Sequence, residues 1–323
     1  MNQATRRHRS FWRDAVAWSG SITPYVMPHI LMTGLGATII CLVAFGIEKL
    51  LGHEIGLEVA PHEIAAAALG LLLVLRTNAG YDRWWEARKV WGGIVNQCRN
   101  VVISGLSYGP KDEQWRQEVV KWTAIFPHTC RWKLRELLAD ETQCSVMTPA
   151  DAHELNQAEH MPNLVAYKLA NLLKAARDQG ELDGFAFMQI DRERALLIDY
   201  IGKCERILAT PLARVYSIKV RRFLALFLMT LPFPLLHKVE EVWLIPLLTM
   251  AVAYPLVSLD QIGIELQNPF AKENLSHLPI GRICRNIEGN LVALLKGKPE
   301  PNPTSDLDQP AVSERIAVTR AEG

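Results

Sequence analysis

Two stretches of 18 residues, Ile30–Ile47 and Val242–Leu259, carry no charged side chain. As helices, at about 1.5 Å per residue, each approaches the ~30 Å hydrocarbon thickness of a bilayer. Pro246 and Pro255 fall inside the second stretch, which a membrane helix tolerates when neighbouring groups satisfy the freed carbonyls. Two further apolar runs are shorter, Ile64–Leu75 with 12 residues and Phe223–Leu236 with 14. On length alone these two fit buried helices of a soluble protein equally well.

The flanking charges favour four spans. Arg6, Arg7, Arg9 and Arg13 precede the first run, whereas Glu48, Lys49, Glu54, Glu58 and Glu63 make an acidic connector to the second. Arg76, Arg83, Arg88 and Lys89 follow the second run, and Lys219, Arg221 and Arg222 precede the third. The turn His237–Glu241 between the last two runs is short and net acidic. If all four runs cross, lysine and arginine gather on one side each time, as the positive-inside rule requires. Trp18, Tyr25, Tyr81, Trp84, Trp85, Tyr216 and Trp243 stand near run ends, where amphipathic rings suit the headgroup region.

The resulting organisation is an all-α, polytopic membrane protein with both termini cytoplasmic. A cytosolic N-terminal arm (1–29) leads into spans one and two with their acidic outer connector (30–89). A helical cytosolic domain (90–218), spans three and four (219–260), a C-terminal cytosolic helix region (261–297) and a flexible tail (298–323) follow. Within the cytosolic part, Thr148, Pro149 and Asp151 make a helix start: a capping hydroxyl, proline at the first position, an acid in the first turn. Val165, Leu169, Leu172, Leu173 and Ala176 share a helical face, with Gly180 as a stop. Leu196, Leu197, Tyr200, Ile201, Cys204, Ile207 and Leu208 mark a second amphipathic helix ending before Pro211, and Pro279–Leu295 a last one. No segment alternates with period two, so no sheet is expected.

Chemistry-bearing motifs are scarce. The net charge of +1 argues against nucleic-acid binding, which needs a basic face. Six cysteines stand far apart without a C-x-x-C pair, so neither a zinc ribbon nor a disulfide framework is expected and the thiols read as reduced and buried. His128 and the His153–Glu154 pair lack metal-ligand spacing and read as packing or surface residues. There is no nucleophile elbow, P-loop or dinucleotide fingerprint. No catalytic residues, metal or cofactor are expected. Gly34 and Gly36 suit close helix packing.

The segment Leu75–Arg88, LRTNAGYDRWWEAR, is richer than a membrane interface requires. It resembles the bestrophin family in its prokaryotic branch, in which an apolar helix runs into an arginine, a small polar patch and Tyr-x-Arg-aromatic-Trp-x-x-x-Arg. Arg76, Tyr81, Arg83, Trp84, Trp85 and Arg88 are the matching residues. CERILATP (Cys204–Pro211), Met229–Phe233 and IELQNPF (Ile264–Phe270), followed by Leu278–Pro279, are similar to three further family segments in the same order. The likeness runs over about residues 10 to 297 and leaves the tail unmatched.

The resemblance implies a passive ion channel, a homopentamer in a bacterial inner membrane with one pore on its axis. The second span of the family lines a hydrophobic neck, and its pore-facing positions match Ala67, Leu71 and Leu75. These share one helical face; periodicity alone selects Ile64, Ala68 and Leu72 just as well. The family's cytosolic aperture matches Phe185. The family implies conduction of small monovalent anions, chloride among them. Glu63, however, continues the 67–71–75 stripe outward, and a ring of carboxylates there favours cations; the permeant sign stays open. Ala271, Lys272 and Glu273 after the NPF element are too poor in oxygen ligands for the calcium clasp of animal relatives. The alternative of another class is a membrane-anchored signalling or scaffold protein whose cytosolic helices bind a partner.

Overall fold

The computed structural model describes residues 12, 15–18, 20–52 and 57–297. The tail from 298, Glu54 of the outer connector, and Arg6, Arg7, Arg9 and Arg13 of the N-terminal arm lie outside the described residues. Every regular element among the described residues is helical. The chain divides into two compact units, one formed by residues 1–82, 212–267 and 274–276, the other by the remainder.

The first unit holds α1 (Thr23–Leu51), the beginning of α2 (Val59–Tyr108), and α7 (Arg214–Thr230), α8 (Pro232–Lys238) and α9 (Ile245–Glu265). Proline lies in the first turn of α1, and Gly52 ends it at φ +65°, its N–H donating to the Glu48 carbonyl at 2.9 Å. Only glycine takes that left-handed cap without strain. α1 packs chiefly on α9. Gly34 makes that approach possible, since a Cβ there would stand 2.3 Å from the Met250 sulfur. Gly36 has no such neighbour, so one glycine of the expected pair serves close packing. Leu69 and Leu73 of α2 are buried among Val220, Leu224, Phe227 and Leu228 of α7 and Ala253 of α9.

Three helices among the described residues are long and apolar enough to cross a membrane: α1, α2 and the segment Val242–Glu265 that contains α9. The third apolar run is divided instead. Pro232 has no N–H to continue the ladder, and the hydrogen-bonded helix is interrupted between α7 and α8 although Leu231 keeps helical angles of φ −57° and ψ −34°. Charge-flanked as expected, this run is two short helices.

The second unit is built around the later part of α2 by α3 (Glu113–Leu134), α4 (Pro149–Gln157), α5 (Met161–Asp178), α6 (Gly184–Ala209) and α10 (Ile280–Leu295). Its core joins Trp91, Ile94 and Cys98 of α2 to Ile125, Phe126 and Trp132 of α3, Leu169 of α5, Leu197 and Ile201 of α6, and Ile287 of α10. Each fully buried large side chain stabilises by roughly 1.5–3 kcal/mol. Gly93 lets α6 approach, for a Cβ there would lie 2.2 Å from the Tyr200 ring.

Local signals in this unit match their sequence. The Thr148 hydroxyl and Asp151 make a reciprocal capping box with Pro149 at the first position. The face from Val165 to Ala176 belongs to a separate helix, because Met161–Pro162 starts α5 afresh with His160 as its cap. Gly180, at φ +76°, follows its end. All six cysteines are free and buried; burial pushes the Cys204 and Cys284 thiols up to about 12.

Candidate functional site

α2 is the element on which the site residues converge. Its 50 residues make about 75 Å of helix, more than twice a hydrocarbon core. In the first unit its two faces differ. Leu69, Leu73, Arg76 and Gly80 are buried on one side, whereas Glu63, Ala67, Leu71 and Leu75 are exposed on the other. Leu71 is 61% and Leu75 52% exposed. The rival face chosen by periodicity begins exposed at Ile64 and Ala68 but is half-buried at Leu72. An apolar stripe left bare along a helix needs a second surface, whether lipid, another copy or a pore axis.

The covered side is fastened by charge. Arg76, 1% exposed, donates Nη1 to Asp260 on α9, and Arg221 of α7 donates Nε to the other Asp260 oxygen at 2.9 Å. Two guanidinium groups thus share one buried carboxylate. Directly beyond, Gly80 meets Gly263 and Leu266 of α9; a Cβ on Gly80 would stand 3.1 Å from the Leu266 Cβ and 3.3 Å from the Gly263 carbonyl oxygen. Small residues at this crossing bring the two backbones together.

Asp260 and Arg221 were not among the residues expected at the site. A signal for Asp260 existed nonetheless. Arg76 follows the second apolar run and Asp260 the fourth, and in the expected four-span topology those two runs point the same way. Two opposite charges at the same end of parallel runs are natural partners.

In the second unit, the Tyr81–Arg88 motif meets the CERILATP motif. Arg83 donates Nη1 to the carbonyl of Thr210, the C-cap of α6, and Nη2 to the Ile207 carbonyl in its last turn. A cation at a helix C-terminus satisfies both the orphan carbonyls and the macrodipole. Glu86 pairs with Arg206 at 2.6 Å one turn back. Trp84 and Trp85 stack at 6.5 Å between centroids and 21° between planes. Trp84 packs against the core of the unit, while Trp85 and Arg88 are exposed. Tyr81, two residues before the unit begins, is also exposed.

The IELQNPF motif builds a turn. The Asn268 side-chain oxygen accepts the Phe270 and Ala271 N–H groups at 3.1 and 3.2 Å. Phe270 is fully buried near Trp91, with ring centroids 6.5 Å apart. Arg135 donates Nε to the Phe270 carbonyl at 2.9 Å. Phe185 stands at the start of α6, where Asp183 accepts its N–H at 2.9 Å, and it is 86% exposed.

Residues 3–293 match the model of the bacterial and fungal bestrophin proteins. The chain belongs to the bestrophin family. Bestrophin relatives include a voltage-dependent anion channel-forming protein of Synechocystis, 26% identical over 91% of this chain and 94% of its own length. A voltage-dependent anion channel-forming protein of Ralstonia nicotianae is 30% identical over 83% of this chain and 87% of its own. The fold is similar to that of a bacterial bestrophin homologue from Klebsiella pneumoniae, with a TM-score of 0.75, 24% identity, and 85% of this chain and 99% of that one covered. Two of the four motifs read from the sequence meet in space: Arg83 caps the helix whose end CERILATP forms.

Proposed function

We propose that this chain is the subunit of a passive anion channel, a homopentamer in a bacterial inner membrane whose axial pore is lined by α2. The observation that carries the reading is the bare stripe of Ala67, Leu71 and Leu75 opposite the fastened face of Leu69, Leu73 and Arg76. Turned toward a five-fold axis, Leu71 and Leu75 make a dry ring that controls passage by hydration and not by binding. Ala67 makes the outer part of the neck wider. Phe185 supplies the cytosolic aperture. Both termini are cytoplasmic, and α7 with α8 complete the crossing as a proline-broken third span, closing the four-span topology.

The names of the relatives favour an anion, and family membership favours a channel over an enzyme. Glu63 is exposed on the outward continuation of the stripe, and it lowers anion preference without abolishing it. In planar bilayers with asymmetric KCl, the wild-type reversal potential lies toward the chloride potential, and Glu63→Gln moves it further that way. A wild-type reversal at the potassium potential contradicts anion conduction. Particles of the detergent-solubilised protein are five-fold rings with an axial hole; a monomer or dimer contradicts the pentamer.

A further inference from the structure

We infer that His128, Cys144 and Glu288 form a binding site for a divalent transition metal of the zinc class, inside the helical second unit. His128 comes from α3, Cys144 from the turn after the 3₁₀ segment Glu141–Gln143, and Glu288 from α10. One ligand atom from each lies within 4.8 Å of the other two, and all three residues are buried.

The donor chemistry selects the metal. An imidazole nitrogen, a sulfur and a carboxylate oxygen are zinc-type ligands, whereas calcium and magnesium take oxygen alone. Tetrahedral coordination at about 2.0–2.3 Å places ligand atoms roughly 3.3–3.8 Å apart. The His128–Glu288 pair, 2.9 Å apart, opens by a few tenths of an ångström to reach that range, and the pairs to Cys144 lie within 4.8 Å before loading.

A supporting shell is in place. Glu288 Oε2 lies 2.9 Å from His128 Nε2, and its other oxygen accepts the Ser145 N–H at 2.7 Å together with the Ser145 hydroxyl. Such outer hydrogen bonds fix a ligating carboxylate in orientation. His128 Nδ1 is buried and makes no hydrogen bond among the described residues. Metal binding releases the Cys144 thiol proton to solvent. The dication then balances one thiolate and one carboxylate, leaving the buried site neutral. Loaded, it staples α3, the 144–148 turn and α10 together.

The test uses the full-length protein in detergent, stripped with a chelator and then dialysed against zinc or cobalt(II). Wild type retains zinc at one ion per chain. With cobalt it shows thiolate-to-metal charge-transfer absorption and the intense visible bands of a four-coordinate ion. Cys144→Ser loses the charge-transfer absorption, His128→Gln loses the visible bands, and Cys98→Ser keeps both. Zinc raises the thermal midpoint of wild type and of Cys98→Ser, and leaves that of Cys144→Ser unmoved. Circular dichroism of each stripped variant, equal to wild type, verifies folding. Absence of retained metal in wild type, or a sulfur signal undiminished in Cys144→Ser, overturns the site and leaves a hydrogen-bonded His–Glu pair.

Discussion

Arg76 of α2 and Asp260 of α9 form a buried ion pair, and Arg221 of α7 shares the same carboxylate. Three helices are thus tied at one point, directly after the last residue of the exposed stripe. Arg76 is 1% exposed, whereas the Arg221 side chain is 55% exposed. The two arginines should therefore differ in weight. Removing one partner of a buried pair strands the other charge, at a cost of about 3–5 kcal/mol, whereas a solvent-screened pair contributes about 0–1 kcal/mol.

Asp260→Asn is expected to destabilise the protein by about 3–5 kcal/mol, and Arg221→Gln by less than about 1 kcal/mol. Denaturant unfolding in detergent, followed by tryptophan fluorescence, measures both. Equal costs would show that Arg76 does not depend on Asp260.

Arg83 caps the end of α6 through the carbonyls of Ile207 and Thr210. A hydrogen bond to a charged group contributes about 1.5–3 kcal/mol, so Arg83→Gln is expected to fray the last turn of α6. Hydrogen exchange of amides 205–210 rises by roughly tenfold for each ~1.4 kcal/mol lost, while amides in the middle of α6 keep their protection. Unchanged exchange would assign Arg83 to the membrane interface alone.

How much of this was legible follows from sequence distance. The capping box at Thr148, the stop at Gly180 and the helix face through Leu197 and Cys204 were readable, because each depends on residues one or two turns apart. The stripe of Ala67, Leu71 and Leu75 was readable as a face, although periodicity left a second face open. Leu75 is exposed and Leu72 half-buried, which favours the first face without a partner surface to name. Arg83 was readable as a motif residue, but its partners lie at 207 and 210, and nothing local points there. The break in the third run was hidden differently. Hydropathy sees Phe223–Leu236 as continuous, while Pro232 removes one N–H from the helical ladder. The His128, Cys144 and Glu288 constellation was the least legible, since three separate elements supply it and its spacing matches no linear metal motif.

Acid should weaken the helical unit through Asp151. Burial alone would raise its carboxyl, but hydrogen bonds from the Thr148 hydroxyl and N–H, and Lys121 at 2.9 Å, bring it below the ordinary value. A depressed folded-state value contributes stability that is fully present above the unfolded value, about 3.9 for aspartate. That contribution is lost as pH falls through the lower folded value. Thermal midpoints measured from neutral pH down to the carboxylate range should fall for wild type and fall less steeply for Asp151→Asn. Identical acid limbs would remove Asp151 from the titration.

The central claim is that Leu71 and Leu75 face the conduction path. Single-channel conductance of the Leu71→Ala, Leu75→Ala double variant, recorded in symmetric KCl beside wild type, tests it directly. Truncating two apolar rings widens and wets the neck, so the variant is expected to conduct several-fold more current per channel. A well-folded variant of the same oligomeric size whose conductance equals that of wild type would contradict the assignment, and place the stripe against lipid or a neighbouring helix.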